Sequence, residues 1–150
     1  MKNIFITTTT FCQFSKEPMR LLSEKDFEII FNGNNRKLRY SKLKNDIYRF
    51  DGVIAGTEKY DRHMLDAAEN LKVISRVGVG LENIDLDYAS EKGIKVFKTQ
   101  TSPAIAVAEL ALGLILDLMR KLIEQSNNLN KGVWKKQMGS LVSGKTLGII

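Results

Sequence analysis

The chain has 150 residues, 43% hydrophobic and 27% charged, with a formal net charge of +6. This excludes a disordered tail and allows one core domain, or one domain with part of another. A single cysteine, Cys12, excludes an internal disulfide and suits a reducing cytoplasm. The apolar run within Met1 to Ile6 is too short for a secretory signal.

In chain order, Asn3 to Thr9 reads as a first strand, rich in Ile, Phe and Thr. Pro18 to Ser23 fits a short helix. Phe27 to Phe31 fits a second strand, stopped by Asn32-Gly33-Asn34. Arg36 to Arg49 holds six basic residues and one acid, Asp46. Tyr40 and Tyr48 within it raise nucleic-acid contact as one reading. The favoured reading is a solvated helix over Ser41 to Tyr48, with Leu43 and Ile47 turned inward. No zinc, helix-turn-helix or RNA-recognition signature supports a nucleic-acid partner.

A third strand, Val53 to Gly56, follows Asp51-Gly52. Asp61 caps a helix expected to run to about Asn70. Leu71 to Val77 is a fourth strand, Leu86 to Lys92 a helix closed by Gly93, and Ile94 to Phe97 a fifth strand. Near-continuous apolar strands between helices predict an α/β fold whose parallel sheet is covered on both faces. Ligands of such sheets sit beyond the carboxyl ends of the strands. Gly56-Thr57, Gly78-Val79-Gly80 and Thr99 to Ser102 all fall there.

Ser102 and Pro103 suit the cap and first position of a long helix ending at Asn130-Lys131-Gly132. From Ala104 to Leu116 every residue except Glu109 is apolar or glycine. Such a helix needs cover on all sides, and thirteen residues fall short of the roughly 20 a membrane span needs. It is expected between two domains or two subunits. Lys131 to Ser143 reads as a connector holding the one tryptophan, Trp134, and Leu147 to Ile150 as a strand.

Gly139 to Thr146 matches the phosphate-loop pattern G-x-x-x-x-G-K-T, but that mechanism needs a strand before and a helix after. Here the order is reversed, and the match is set aside. In Arg76 to Asp85, two glycines after a buried strand can expose backbone amides as a nest for a carboxylate. A plain strand-to-helix turn explains the same spacing.

The runs Asp51-Gly52-Val53-Ile54, Arg76 to Asp85, Ala106 to Leu110 and Gly144 to Ile150, in this order, resemble the NAD-dependent D-2-hydroxyacid dehydrogenases, the family that includes D-3-phosphoglycerate dehydrogenases. The resemblance covers about residue 50 to the end. It implies a flavodoxin-like five-stranded substrate domain over 1–102. Residues 103–150 would then hold the crossing helix, a connector and the first strand of a dinucleotide-binding domain. It implies NAD as cofactor and a small 2-hydroxy or 2-oxo acid as substrate. Gly56, Thr57, Arg76, Gly78, Val79 and Gly80 would meet the substrate, and Val79 and Val107 the cofactor. Phosphoglycerate enzymes often carry Arg-Ser at Gly56-Thr57, and losing that arginine weakens the case for a phosphorylated substrate.

The same resemblance puts the catalytic arginine, glutamate and histidine beyond residue 150. His63, the one histidine, reads as a surface residue, and Glu109 as structural. No residue of this chain is therefore assigned a catalytic role. The chain alone is expected to lack turnover, and to form dimers or larger oligomers through its uncovered helix. The rival is a non-enzymatic binding or regulatory module of flavodoxin-like shape. The coding sequence after codon 150 would separate the two: a glycine-rich turn supports the enzyme, a stop codon the module.

Overall fold

The computed structural model describes residues 1–32 and 36–149. The expected stop at Gly33-Asn34, and Ile150, lie outside the described residues. The chain divides into two compact units, Met1–Ser102 and Pro103–Ile150.

The first unit contains β1 (Lys2–Ile6), α1 (Glu17–Ser23), β2 (Phe27–Phe31), α2 (Tyr40–Asp46), a 3-10 turn (Ile47–Arg49), β3 (Gly52–Ala55), α3 (Arg62–Ala67), β4 (Val73–Arg76), α4 (Leu86–Glu91) and β5 (Lys95–Lys98). All strand pairs are parallel, in the order β2-β1-β3-β4-β5. The chain therefore reverses its winding direction between β1 and β3. In open parallel sheets a crevice forms at that point, outside the carboxyl ends.

Register follows from burial. Phe5 pairs with Val53, Val53 with Ile74 and Ile74 with Val96, so these side chains share one face. On that face Leu43, Ile47, Met64, Leu65 and Ala89 complete the core. Leu43 and Ile47 are turned inward as their spacing predicts, and both are essentially inaccessible. Phe50 stacks on Phe5 with ring centroids 4.5 Å apart. On the opposite face cover declines across the sheet. Ile6 is buried, Ile54 half-buried, Ser75 exposed and Phe97 57% exposed. Cover on both faces thus holds only in part within this unit, because a polar residue, Ser75, stands where burial would need an apolar one.

Two aspartates set element boundaries. Asp61 accepts from the Met64 amide at 3.0 Å and starts α3. Asp85 accepts from the Tyr88 amide at 3.1 Å and starts α4. Helix α3 ends at Ala67 rather than Asn70, because Ala68 leaves the helical region at ψ 60°. Strand β1 ends at Ile6; Thr7 to Thr9 continue as loop at the carboxyl edge.

In the second unit the expected single helix is two. Helix α5 (Ala104–Arg120) has Pro103 at its N-cap, and α6 (Leu122–Asn130) follows. Lys121 between them is left-handed, at φ 55°. Asp117 stabilises the break: its carbonyl accepts from the Lys121 amide, and its side chain accepts from the Ile123 amide at 2.8 Å. Residues 145–149 carry no strand pairing, since a strand needs a neighbour to complete its ladder. No residue of α5 is buried in this chain, and Ile105, Val107, Leu110 and Leu112 are all more than half exposed. No helix of the described residues is long and apolar enough to cross a membrane.

The core account makes a direct prediction. Ile74 is fully buried on β4, between β3 and β5. Ile74→Ala should cost about 2–5 kcal/mol by urea unfolding, from lost burial plus the cavity left behind. A cost under about 1 kcal/mol would contradict this packing.

Candidate functional site

Three strands end side by side at the reversal point. The segments leaving β1, β3 and β4 line a groove of about 240 Å³, with Thr8, Thr9, Thr10, Gly56, Thr57, Glu58, Arg76 and Val77 on its walls and Lys37 at its rim. A second groove of about 450 Å³ shares Lys37, Thr57 and Glu58 and adds Tyr40, Lys59 and Asp61. Four of the expected site residues or their direct neighbours, Gly56, Thr57, Arg76 and Val77, are thus brought together. Val107 belongs to the other unit, exposed on α5.

The turn after β4 divides into a pinned half and an open half. Tyr60 donates its amide to Asn83 O at 2.7 Å, Asp85 donates to Tyr60 O at 2.9 Å, and the Asn83 side chain donates to Glu58 O at 2.5 Å. Tyr60 and Ile84 form an isolated parallel bridge, and Ile84 is buried. Asn83, Ile84 and Asp85 therefore serve structure: a tether, a core residue and a helix cap. At the near end Gly78 is engaged as well. Its amide donates to Thr99 Oγ1 at 3.0 Å, and its carbonyl accepts from Thr99 N at 3.1 Å. Gly78 has φ +147°, where a side chain is strained, and an added Cβ would collide with the Arg76 guanidinium.

Between these anchors lie Val79 and Gly80. Among the described residues neither amide donates a hydrogen bond, and both residues are half-buried. Unpaired N–H groups at partial burial are costly, and ligands commonly take them up. The exposed Glu82 carboxylate stands beside Gly80, where a Cβ would collide with it. Arg76 adds positive charge. Its Nη1 donates to Val77 O, its Nε is buried without a partner, and no carboxylate of the described residues lies within ion-pair distance. The guanidinium stands against Gly78, and neither groove is lined by Gly78, Val79 or Gly80.

Two further clusters escaped sequence reading. Glu58 is only 6% exposed. Its Oε2 accepts from Thr7 Oγ1 and from Gly56 N, both at 2.9 Å. Beside it the Tyr60 hydroxyl is buried and unpartnered. Burial first, then the Glu58 charge, pushes that phenol well above its ordinary range. The threonine run after β1 and the Glu directly after Gly56-Thr57 were the available signals, both at strand ends. In the second cluster, Asp61 accepts from Tyr40 Oη at 2.6 Å and pairs with Lys59 at 3.1 Å. The Tyr40 hydrogen bond, above all, holds Asp61 at about 2, with the Met64 amide and Lys59 adding to it. The same bond pushes Tyr40 up to about 12. Among the described residues no cluster could hold a metal ion. His63 is exposed.

Comparison with known proteins bears on this arrangement. Residues 4–146 match the model of the D-isomer specific 2-hydroxyacid dehydrogenase catalytic domain. Over 100 residues the chain is 43% identical to a hydroxypyruvate reductase of Thermotoga maritima, covering 65% of this chain and 33% of that protein. Over 138 residues it is 42% identical to a D-3-phosphoglycerate dehydrogenase of Methanocaldococcus jannaschii, covering 90% of this chain and 26% of that one. The chain thus spans a third or less of these relatives. A 3-phosphoglycerate dehydrogenase from Entamoeba histolytica, solved with NAD+ bound, superposes with a TM-score of 0.66 at 24% identity, over 92% of this chain and 42% of its own. That likeness carries the fold.

The Asp61 cluster yields a pH prediction. A carboxylate whose folded value is depressed contributes stability above its ordinary value of 3.8, and loses it as pH falls toward about 2. Tyr40→Phe removes the largest cause, so Asp61 should titrate closer to 3.8 and acid unfolding should begin at higher pH. Carboxyl NMR titration reads this directly; an Asp61 still at about 2 in the variant would refute the assignment.

Proposed function

The chain belongs to the D-isomer specific 2-hydroxyacid dehydrogenases, and from that premise we propose that it is the substrate-binding part of an enzyme that oxidises a 2-hydroxy acid, or reduces the 2-oxo acid, with NAD. One observation supports the reading: two unpaired backbone amides, Val79 and Gly80, directly follow Gly78, against which the Arg76 guanidinium stands without an ion-pair partner among the described residues. The amides hold the substrate carboxylate once the exposed Glu82 side chain swings aside. Arg76 supplies the positive field. Gly78 keeps the turn sharp enough for both, and Gly56 and Thr57 face the rest of the molecule. Residues 1–102 are read as the substrate domain, and 103–150 as the start of the dinucleotide-binding domain.

NAD, held by the neighbour of this fold from Entamoeba histolytica, supplies the hydride acceptor. By the family resemblance, Val79 of the first unit and Val107 of the second are each proposed as cofactor-contacting residues. No Gly-x-Gly-x-x-Gly turn, the usual pyrophosphate cradle, occurs in these 150 residues. Hydride leaves C2 as the hydroxyl proton passes to a base. The one histidine, His63, is exposed outside the groove, so this chain offers substrate binding without that base. The purified chain should therefore show no NAD reduction with any 2-hydroxy acid. Steady turnover by this chain would contradict the division of labour.

The exposed apolar surface of α5 is proposed as a contact for a second domain or second copy. Light scattering at high micromolar concentration should return at least twice the chain mass of 16.9 kDa. A monomeric mass would count against association.

Binding is tested by titrating the 15N-labelled chain with a short 2-hydroxy acid. The Val79 and Gly80 amide resonances should move first and saturate. Arg76→Gln should weaken the affinity by about tenfold or more, the worth of a charge-assisted hydrogen bond. Shifts confined to other residues would overturn the assignment.

A further inference from the structure

We propose that Glu58 is a positioning residue: it joins the segments leaving β1, β3 and β4, and that joint holds the Val79–Gly80 turn in the shape that receives the acid. The inference rests on the functional reading above and adds a residue that acts through others.

Glu58 is 6% exposed and Thr7 is fully buried. Glu58 Oε2 accepts from Thr7 Oγ1, just past β1, and from Gly56 N, just past β3, both at 2.9 Å. Gly56 N also lies 3.2 Å from Thr7 Oγ1, so the three groups close a triangle. The Glu58 carbonyl meets the third segment, accepting from Asn83 Nδ2 at 2.5 Å. Two residues on, Tyr60 donates its amide to Asn83 O and accepts from Asp85 N. The short stretch 58–60 thus grips the segment after β1 by a side chain and the turn after β4 mostly by its backbone.

The carboxylate is what fixes this joint. No cation of the described residues lies within ion-pair distance of it. Burying such a charge is costly, and filling the loop does not require it. What a charge adds is bond strength, since charge-assisted hydrogen bonds are about twice as strong as neutral ones. Two of them on one oxygen hold the Glu58 backbone, and with it the point to which Asn83 is tied. The turn's other end is held by Gly78 on Thr99. Val79 and Gly80 stand between these anchors with amides that donate to nothing among the described residues, so the anchors set their orientation. With Glu58 released, the Asn83 anchor drifts, and binding must then supply the ordering of both amides.

The test combines hydrogen exchange with a D-glycerate titration of the 15N-labelled chain. Glu58→Ala should speed exchange at the Tyr60 and Asp85 amides by about tenfold or more. The Lys72 and Lys95 amides, hydrogen-bonded at the opposite end of the sheet, should keep their rates. The same variant should bind D-glycerate about tenfold or more weakly. Glu58→Gln keeps an oxygen for both donors and should bind at least about threefold more tightly than Glu58→Ala. Thr7→Val removes one donor, and should weaken binding in the wild-type background but not in Glu58→Ala. Unchanged affinity in a folded Glu58→Ala chain overturns the proposal. So does faster exchange shared equally by Lys72 and Lys95, which marks general loosening, or a Gln variant no tighter than the Ala one. Should Glu58→Ala fail to fold, Thr7→Val decides: unchanged affinity in that folded chain overturns the proposal, and a loss supports it. These reversals leave the wider functional reading standing. If D-glycerate does not move the wild-type Val79 and Gly80 resonances, that reading itself falls, and this proposal with it.

Discussion

The tie between the segment after β3 and the turn after β4 is the constraint on which the rest depends. Tyr60 and Asp85 exchange backbone hydrogen bonds across a bridge that belongs to neither strand. Asn83 adds a side-chain bond to the Glu58 carbonyl. Parallel strands alone leave their carboxyl ends free to splay, because the ladder stops where the strands stop. The tether extends order past the sheet edge, and it spends the hydrogen-bonding capacity of residues 83–85 on structure. Two amides just upstream, Val79 and Gly80, are left without partners in a backbone held still on both sides. A rigid, unsatisfied donor pair binds an anion at little ordering cost.

The same economy appears at Gly56. Its amide is satisfied by Glu58, a carboxylate buried between β1 and β3. Burying a carboxylate is costly unless it is hydrogen-bonded, and here two donors meet one oxygen. The Tyr60 hydroxyl beside it finds no partner. A patch that combines a buried charge with an orphan hydroxyl is hard to explain by stability alone.

Much of the architecture was legible in the chain. Five apolar runs separated by helical spacings specify the parallel sheet, and the capping roles of Asp61 and the inward turn of Leu43 and Ile47 follow from side-chain chemistry and period. The Arg76 to Asp85 run located the strand-end turn, but spacing could not separate its tether from its open amides, because that depends on a partner segment about 25 residues earlier in the chain. Glu58 was passed over since a single acid after a strand usually points to solvent, and only the fold shows both walls closing on it. The break at Lys121 was hidden for a related reason. Nothing in the apolar pattern forbids a continuous helix, whereas Asp117 can cap a new turn only after the chain has bent. The Leu147 to Ile150 run has strand composition, yet composition does not supply a neighbouring strand.

The central proposal is that the open amide pair at Val79 and Gly80 seats the substrate carboxylate. A crystal structure of the chain grown with a short 2-oxo acid tests it most directly. The account predicts carboxylate oxygens about 3 Å from both amide nitrogens, with Arg76 alongside and Glu82 displaced. An acid bound elsewhere, or Glu82 still against Gly80 at saturating acid, would contradict it.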